Sequence, residues 1–178
     1  GKTLALAARL GNRGRITASD VDAKKLEELR RRARRAQVSN TRAVPIGELE
    51  PLRGRADAVL VDAPCSGIGA LRRNPEARWR LREDELPAFA RRQRENRTAA
   101  AELVAPGGRL VYATCSLLAC ENREVADAFA ADRGFARVPL GDVLDARRAA
   151  AFERDGAFTA TPDRHGTDGF FAAIFRSP

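Results

Sequence analysis

Two of the three cysteines in this chain stand immediately after strongly apolar runs. Asp62-Ala63-Pro64-Cys65-Ser66-Gly67 follows Ala58-Val59-Leu60-Val61, and Thr114-Cys115-Ser116 follows Leu110-Val111-Tyr112-Ala113. Such runs read as strands of an open α/β sheet, whose ligands bind beyond the carboxyl ends of the strands. Neighbouring strands lie about 4.8 Å apart, so two thiols and one carboxylate at that edge could work on the same small planar substrate. A thiolate is a strong nucleophile, and a second thiol or a carboxyl can manage its protons. Pro64 lacks an N–H and holds its own φ at about −65°, which predicts a defined turn aiming Asp62 and Cys65 into the crevice. The alternative, Cys65 as a small core residue, fits poorly with a position between a proline and Ser66-Gly67. Cys120 falls in or before a helix and reads as a packing or exposed cysteine.

The elements that must position these residues alternate. Residues 15–20 read as a short strand and 23–38 as a helix with apolar positions at Leu26, Leu29, Ala33 and Ala36. A strand over 42–46 follows, then the run 57–62, apolar enough for a parallel strand covered on both faces. A Gly-, Pro- and Arg-rich loop leads to a long helix over 84–104, with Pro87 tolerated in its first turn. Ala105-Pro106-Gly107-Gly108 is expected to stop that helix before a strand at 109–113. Residues 120–132 read as a helix, 135–139 as a strand, 141–168 mostly as loop, and 169–175 as a buried strand. Strands separated by helices of this length predict βαβ units in a mainly parallel sheet with helices on both faces. A chain of 178 residues is the length of one domain, and the whole of 1–178 reads as one.

The start departs from this pattern. A nucleotide-binding α/β domain opens with a strand and a glycine-rich turn, whereas Gly1-Lys2-Thr3 leads straight into a helical pattern over 4–10. The first strand is expected to precede Gly1 in a longer, N-terminally truncated protein. Asp20, at the end of the strand after that helix, suits an acceptor for ribose hydroxyls. It equally suits a helix N-cap, and Asp22 competes for both roles.

Composition narrows the partners. The net charge of +8 and pI near 10.5 favour a polyanion, because basic side chains gain affinity by releasing counterions from phosphates; almost all of it is arginine, which a GC-rich coding bias would also produce. Arg72-Arg73-Asn74-Pro75-Glu76-Ala77-Arg78-Trp79-Arg80 interleaves guanidinium groups with the only tryptophan, a combination suited to phosphates and unstacked bases. A solvated loop with Trp79 tucked into the core is the other reading. Three cysteines and one histidine make neither a disulfide framework nor a zinc spacing, so reduced thiols, no metal and a cytoplasmic setting are expected. No apolar stretch approaches the roughly 18 residues of a membrane span, and no membrane partner is expected.

At the level of motifs, the chain resembles the RNA cytosine-5 methyltransferases of the NOL1/NOP2/Sun type, and more closely their bacterial 16S ribosomal RNA members. The matching segments are Asp62-Ala63-Pro64-Cys65-Ser66-Gly67; Arg72-Arg73-Asn74-Pro75-Glu76 with Trp79; Tyr112-Ala113-Thr114-Cys115-Ser116 with Glu121-Asn122; and Thr167-Asp168-Gly169-Phe170-Phe171. The resemblance covers about residues 1–176 and implies a Rossmann-like methyltransferase fold, S-adenosylmethionine as methyl donor, and RNA, ribosomal above all, with an unpaired or flipped cytosine as substrate. It implies that Cys115 is the nucleophile, that Cys65 helps release product, and that Asp62 lies between cofactor and base. Gly1, Lys2 and Thr3 match the tail of the cofactor loop, Asp20 the ribose acceptor, and Asp62 and Pro64 further cofactor contacts. Relatives carry an Asp after the third strand where this chain reads Ile46-Gly47-Glu48.

The chemistry implied sets demands of its own. Carbon 5 of cytosine becomes nucleophilic once a thiolate adds to carbon 6. A free thiol, of pKa about 8.5, needs a positive environment or a helix N-terminus to ionise at neutral pH; arginines and a helix after Cys115 are expected to supply both. Asp62 would donate to ring nitrogen 3 if buried and protonated. Cys65, or a water it orients, would take the proton from carbon 5. Two competing readings remain at this level: a non-catalytic RNA-binding fragment of such an enzyme, and a DNA cytosine-5 methyltransferase, which needs no Thr-Cys partner.

Overall fold

The computed structural model describes the backbone of residues 1–178 and every side chain except those of Arg80 and Glu83. It divides into two compact units, residues 1–52 and 53–178. The first holds α1 (Lys2–Arg9), β1 (Ile16–Asp20), α2 (Ala23–Arg35) and β2 (Thr41–Pro45). β1 and β2 run parallel, from Ile16 opposite Thr41 to Asp20 opposite Pro45. The helix between them starts where Asp22 accepts a hydrogen bond from Lys24 N–H at 2.8 Å, the capping geometry that satisfies an otherwise orphaned donor. It buries Leu26 and Ala33 and ends three residues before the sequence pattern does, because Gln37 turns left-handed at φ 54°.

The second unit carries the larger sheet. Its elements are β3 (Ala56–Asp62), α3 (Ala77–Arg80), α4 (Leu86–Ala101), β4 (Val104–Thr114), α5 (Arg123–Arg133), β5 (Ala136–Arg137), α6 (Ala146–Phe152), β6 (Glu153–Arg154), β7 (Ala157–Ala160), α7 (Pro162–His165) and β8 (Phe170–Arg176). β3 and β4 pair in parallel across the α4 crossover, as the alternation of elements requires. β8 then runs antiparallel to β4, with β5 and β7 pairing its opposite edge and β6 beyond β7.

The core lies on one face of this sheet. Leu110, Tyr112, Phe171, Ala173 and Phe175 project there at period two and pack with Val125, Ala126 and Phe129 of α5. Phe129 meets Phe175 edge-on at 4.9 Å between ring centroids, a favourable aromatic geometry. α4 buries Ala90, Gln93, Arg97 and Ala101, a 3,4,4-spaced stripe on one helix face. Its Arg97 stacks 4.5 Å over the Phe129 ring and donates to the Val125 carbonyl. Burial brings the Arg97 pKa down to about 10.

Four expectations change. The segment 105–108 does not separate helix from strand. β4 already begins at Val104, and the four residues bulge out where Ala56 pairs with Val104 but Ala58 with Arg109, Gly107 taking φ 71°. Residues 141–168 are largely structured rather than loop. Asp155-Gly156, at φ 52° and 71°, forms the two-residue turn of the β6–β7 hairpin, the pairing that Asp-Gly favours. The expected helix over 120–132 starts only at Arg123, after a 3₁₀ turn over Ala119–Glu121, and the strand at 135–139 shrinks to two residues. β3 is covered on one face only: Val59 and Val61 pack against the core while Leu60, on the opposite face, is 40% exposed.

Backbones meet most closely at Gly69, which donates to Cys115 O at 2.9 Å and accepts from Gly169 N–H at 2.7 Å. A Cβ on Gly69 would stand 2.7 Å from Cys115 O, and a backbone atom in a ladder cannot retreat. Gly69→Ala is expected to cost about 2–3 kcal/mol, in the range of overpacked sites, read as a lower urea midpoint at unchanged m-value.

Candidate active site

The register of β3 and β4 brings both cysteine loops to one level. Asp62 stands opposite Ala113, and Ala63 N–H continues the ladder to Ala113 O at 2.9 Å. Beyond it the Cys65 and Cys115 sulfurs lie 3.4 Å apart, both half-buried. The two thiols and the carboxylate expected at one sheet edge are therefore brought together. Asp62 is exposed, not buried as the chemistry asked. Pro64 is also exposed, and its carbonyl is tied by Gln93 Nε2 at 2.9 Å.

The sequence reading assigned no role to the group that organises these loops. Glu121 is fully buried and collects four donors. Its Oε1 accepts from Ser66 N–H at 2.8 Å and Gln93 Nε2 at 3.1 Å, and its Oε2 from the hydroxyls of Ser66 and Ser116, each at 2.5 Å. Each serine directly follows one of the cysteines. Asn122 completes the frame, accepting from Thr114 Oγ1 at 2.5 Å and donating to Ser116 O at 2.9 Å. Tyr112 donates to Glu121 O at 2.6 Å, and burial pushes its phenol pKa upward. Glu121-Asn122 was part of a motif that carries the family resemblance, but nothing local in sequence marks the contact of its carboxylate with Ser66, 55 residues away.

Electrostatics at the pair come from the sulfurs. The hydrogen bond to Cys115, then burial, push the Cys65 pKa far upward, because two thiolates in contact would repel and neither is well hydrated. The helix expected after Cys115 begins only at Arg123, following a 3₁₀ turn over Ala119–Glu121. Cys120 is half-buried in that 3₁₀ turn, just before helix α5 as expected, and burial raises its pKa.

The arginine segment lies on the surface. Arg73 Nε stands 2.5 Å from Asp168 Oδ2 and Arg72 3.5 Å from Oδ1; both arginines are exposed while the Asp168 side chain is 4% exposed. Trp79 is 80% exposed, so the core reading of it is wrong, and the Arg78 guanidinium sits 4.8 Å over its ring. In the first unit Asp22 takes the N-cap role, leaving Asp20 a third exposed, with Oδ1 held by Asp22 N–H at 2.9 Å and Lys25 at 3.5 Å from Oδ2. Gly1 and Lys2 open α1. Glu48 ends a 3₁₀ turn after β2. No group of three or more metal-ligating side chains occurs among the described residues, and no helix among them is long and apolar enough to cross a membrane.

The family model described as 16S rRNA methyltransferase RsmB/F matches residues 1–176. The chain belongs to that family. A putative methyltransferase of Mycobacterium tuberculosis is 43% identical to this RsmB/F member over 150 residues, 77% of the chain and 31% of the relative. The ribosomal RNA small subunit methyltransferase F of Serratia proteamaculans is 34% identical over 186 residues, 98% of the chain and 37% of the relative. Among solved structures, PH0851 superimposes with a TM-score of 0.87 at 38% identity, covering 98% of this chain and 40% of that one. NSun6 from Pyrococcus horikoshii, solved with SFG, does so at 0.79 and 27%, covering 99% and 45%. The fold is thus the Rossmann-like one of methyltransferases, and the chain spans about a third of the length of these curated relatives.

The thiol pair generates a direct expectation. Cys115→Ala removes the largest cause of the Cys65 shift, so the Cys65 pKa falls and its thiolate fraction rises. Cys65 should then react with iodoacetamide at pH 8 several-fold faster than in the unaltered chain, read by peptide mass spectrometry. An unchanged rate would show that the two sulfurs are not coupled.

Proposed function

We propose that residues 1–178 form one catalytic domain of an enzyme transferring a methyl group from S-adenosylmethionine to carbon 5 of a cytosine in RNA, ribosomal RNA first. The observation that carries this reading is the 3.4 Å approach of the Cys65 and Cys115 sulfurs beyond two parallel strands. One thiol would suffice to add to a base. Two in contact suit a reaction that must both form a covalent adduct and resolve it. Membership of a family described by ribosomal RNA methylation supports the substrate class.

In this mechanism the pair starts with one proton, held by Cys65 and shared toward the Cys115 thiolate. Cys115 Sγ adds to carbon 6 of a cytosine unstacked from its neighbours, since a paired base offers neither face, and Asp62 faces the ring nitrogen whose electron density rises. The cofactor supplies an electrophilic methyl group on its sulfonium. Once the Cys115 sulfur is bonded to carbon it no longer holds Cys65 protonated, so the main cause of the raised Cys65 pKa disappears. Cys65 releases its proton to water, takes the proton from carbon 5, and Cys115 departs as a thiolate. The starting state returns with one net proton in solution. Asp20, its carboxylate presented at a strand end and partly open, fits cofactor ribose hydroxyls, with Gly1 and Lys2 as further cofactor contacts; Asp62 and Pro64, at the end of β3, are likewise read as cofactor contacts.

Trp79 and the exposed arginines of 72–78 fit an RNA strand whose bases stack on aromatic rings and whose phosphates meet guanidinium groups. Cys115→Ala should abolish methylation and any covalent complex, whereas Cys65→Ala should accumulate an RNA adduct visible as a retarded band on a denaturing gel. Bisulfite sequencing of RNA treated with the full-length protein identifies the base. An adduct formed by the Cys115 variant would reverse the two roles. Trp79→Ala should weaken RNA binding by about tenfold or more, the worth of one base stacked on an aromatic ring; unaltered binding would remove Trp79 from the interface.

A further inference from the structure

We infer that Glu121 is a positioning residue that holds the two cysteine loops in register, an inference that rests on the reading of Cys65 and Cys115 as the reacting pair. The loop after β3 and the loop after β4 leave the ladder at Ala63 N–H to Ala113 O. Past that point they need another tie, because Cys65 and Cys115 lie two residues further along their strands and sulfur contacts are weak. Glu121 supplies the tie at the next residue of each loop: Ser66 through both its N–H and its hydroxyl, Ser116 through its hydroxyl. Ser66 Oγ and Ser116 Oγ are themselves 3.2 Å apart, so one carboxylate oxygen gathers both hydroxyls. Gln93 from α4 braces the other oxygen and also holds Pro64 O at 2.9 Å. The carboxylate is fully buried and is hydrogen-bonded to Ser66 and Ser116, which flank the thiols, and to Gln93, so its position sets that of the thiols.

Length matters as much as charge in such a clamp. Aspartate keeps the charge but is one methylene shorter, and from the same backbone position it cannot meet Ser66 and Ser116 together. The test uses diamide, which accepts the two hydrogens of Cys65 and Cys115 as they form a disulfide, and needs neither RNA nor methyl donor. Glu121→Asp should slow this closure at least tenfold, and Ser66→Ala, which leaves the Ser66 N–H contact in place, should slow it several-fold with circular dichroism unchanged. In methylation assays both variants should lose kcat with the KM for RNA unaltered. Closure in folded Glu121→Asp at the unaltered rate would overturn the inference; should that variant not fold, an unaltered rate in Ser66→Ala would do so. Rapid closure in the unaltered chain that depends on Glu121, without methylation by the full-length protein, would leave the clamp standing and remove the proposed reaction.

Discussion

The parallel register of β3 and β4 is the constraint on which the site is built. Parallel strands end at the same edge, so two residues just past their ends meet, whereas an antiparallel pair would send them to opposite edges. Asp62 lies opposite Ala113, which leaves Cys65 and Cys115 almost level. A slip of one residue would reverse the alternation that buries Leu110 and Tyr112. The bulge over 105–108 absorbs the extra length where β4 begins, so that the ladder is in phase from Ala58 opposite Arg109 to the end. The connection this geometry requires, a crossover, also delivers the arginine segment and the α4 side chains Gln93 and Arg97.

A second constraint is electrostatic. Burying a carboxylate without a cation is costly, and the cost is offset only when its lone pairs are filled. Glu121 meets four donors, and charge-assisted hydrogen bonds of this type are about twice as strong as neutral ones. The same interior disfavours two thiolates in contact, and the hydrogen bond to Cys115 together with burial pushes the Cys65 pKa upward. Buried polar groups here specify geometry more than they add stability, and the geometry they specify is the sulfur spacing.

Much of this was legible. The helix α2 announced itself through a capping aspartate and an apolar stripe, β3 and β8 through short runs of bulky residues, and the cysteines through their place just after such runs. Less legible were features that depend on partners distant in sequence. Pro106-Gly107-Gly108 looks like a stop signal because proline and glycine weaken both helix and strand, yet a bulge tolerates them within β4. Trp79 looks like core until it is found 80% exposed, with the Arg78 guanidinium over its ring. Asp155-Gly156 did carry a hairpin signal, obscured by the polar residues around it.

Local chemistry, carried by residue type and spacing, determined that two thiols and an acid stand at strand ends, that the elements alternate as in an α/β fold, and that the surface is strongly basic. Distances between loops fifty residues apart depend on register, and register is a property of packed strands that no single segment encodes. Tertiary structure alone therefore decided that the sulfurs touch, that Asp62 is open, and that the Glu121 carboxylate ties together the serines beside them.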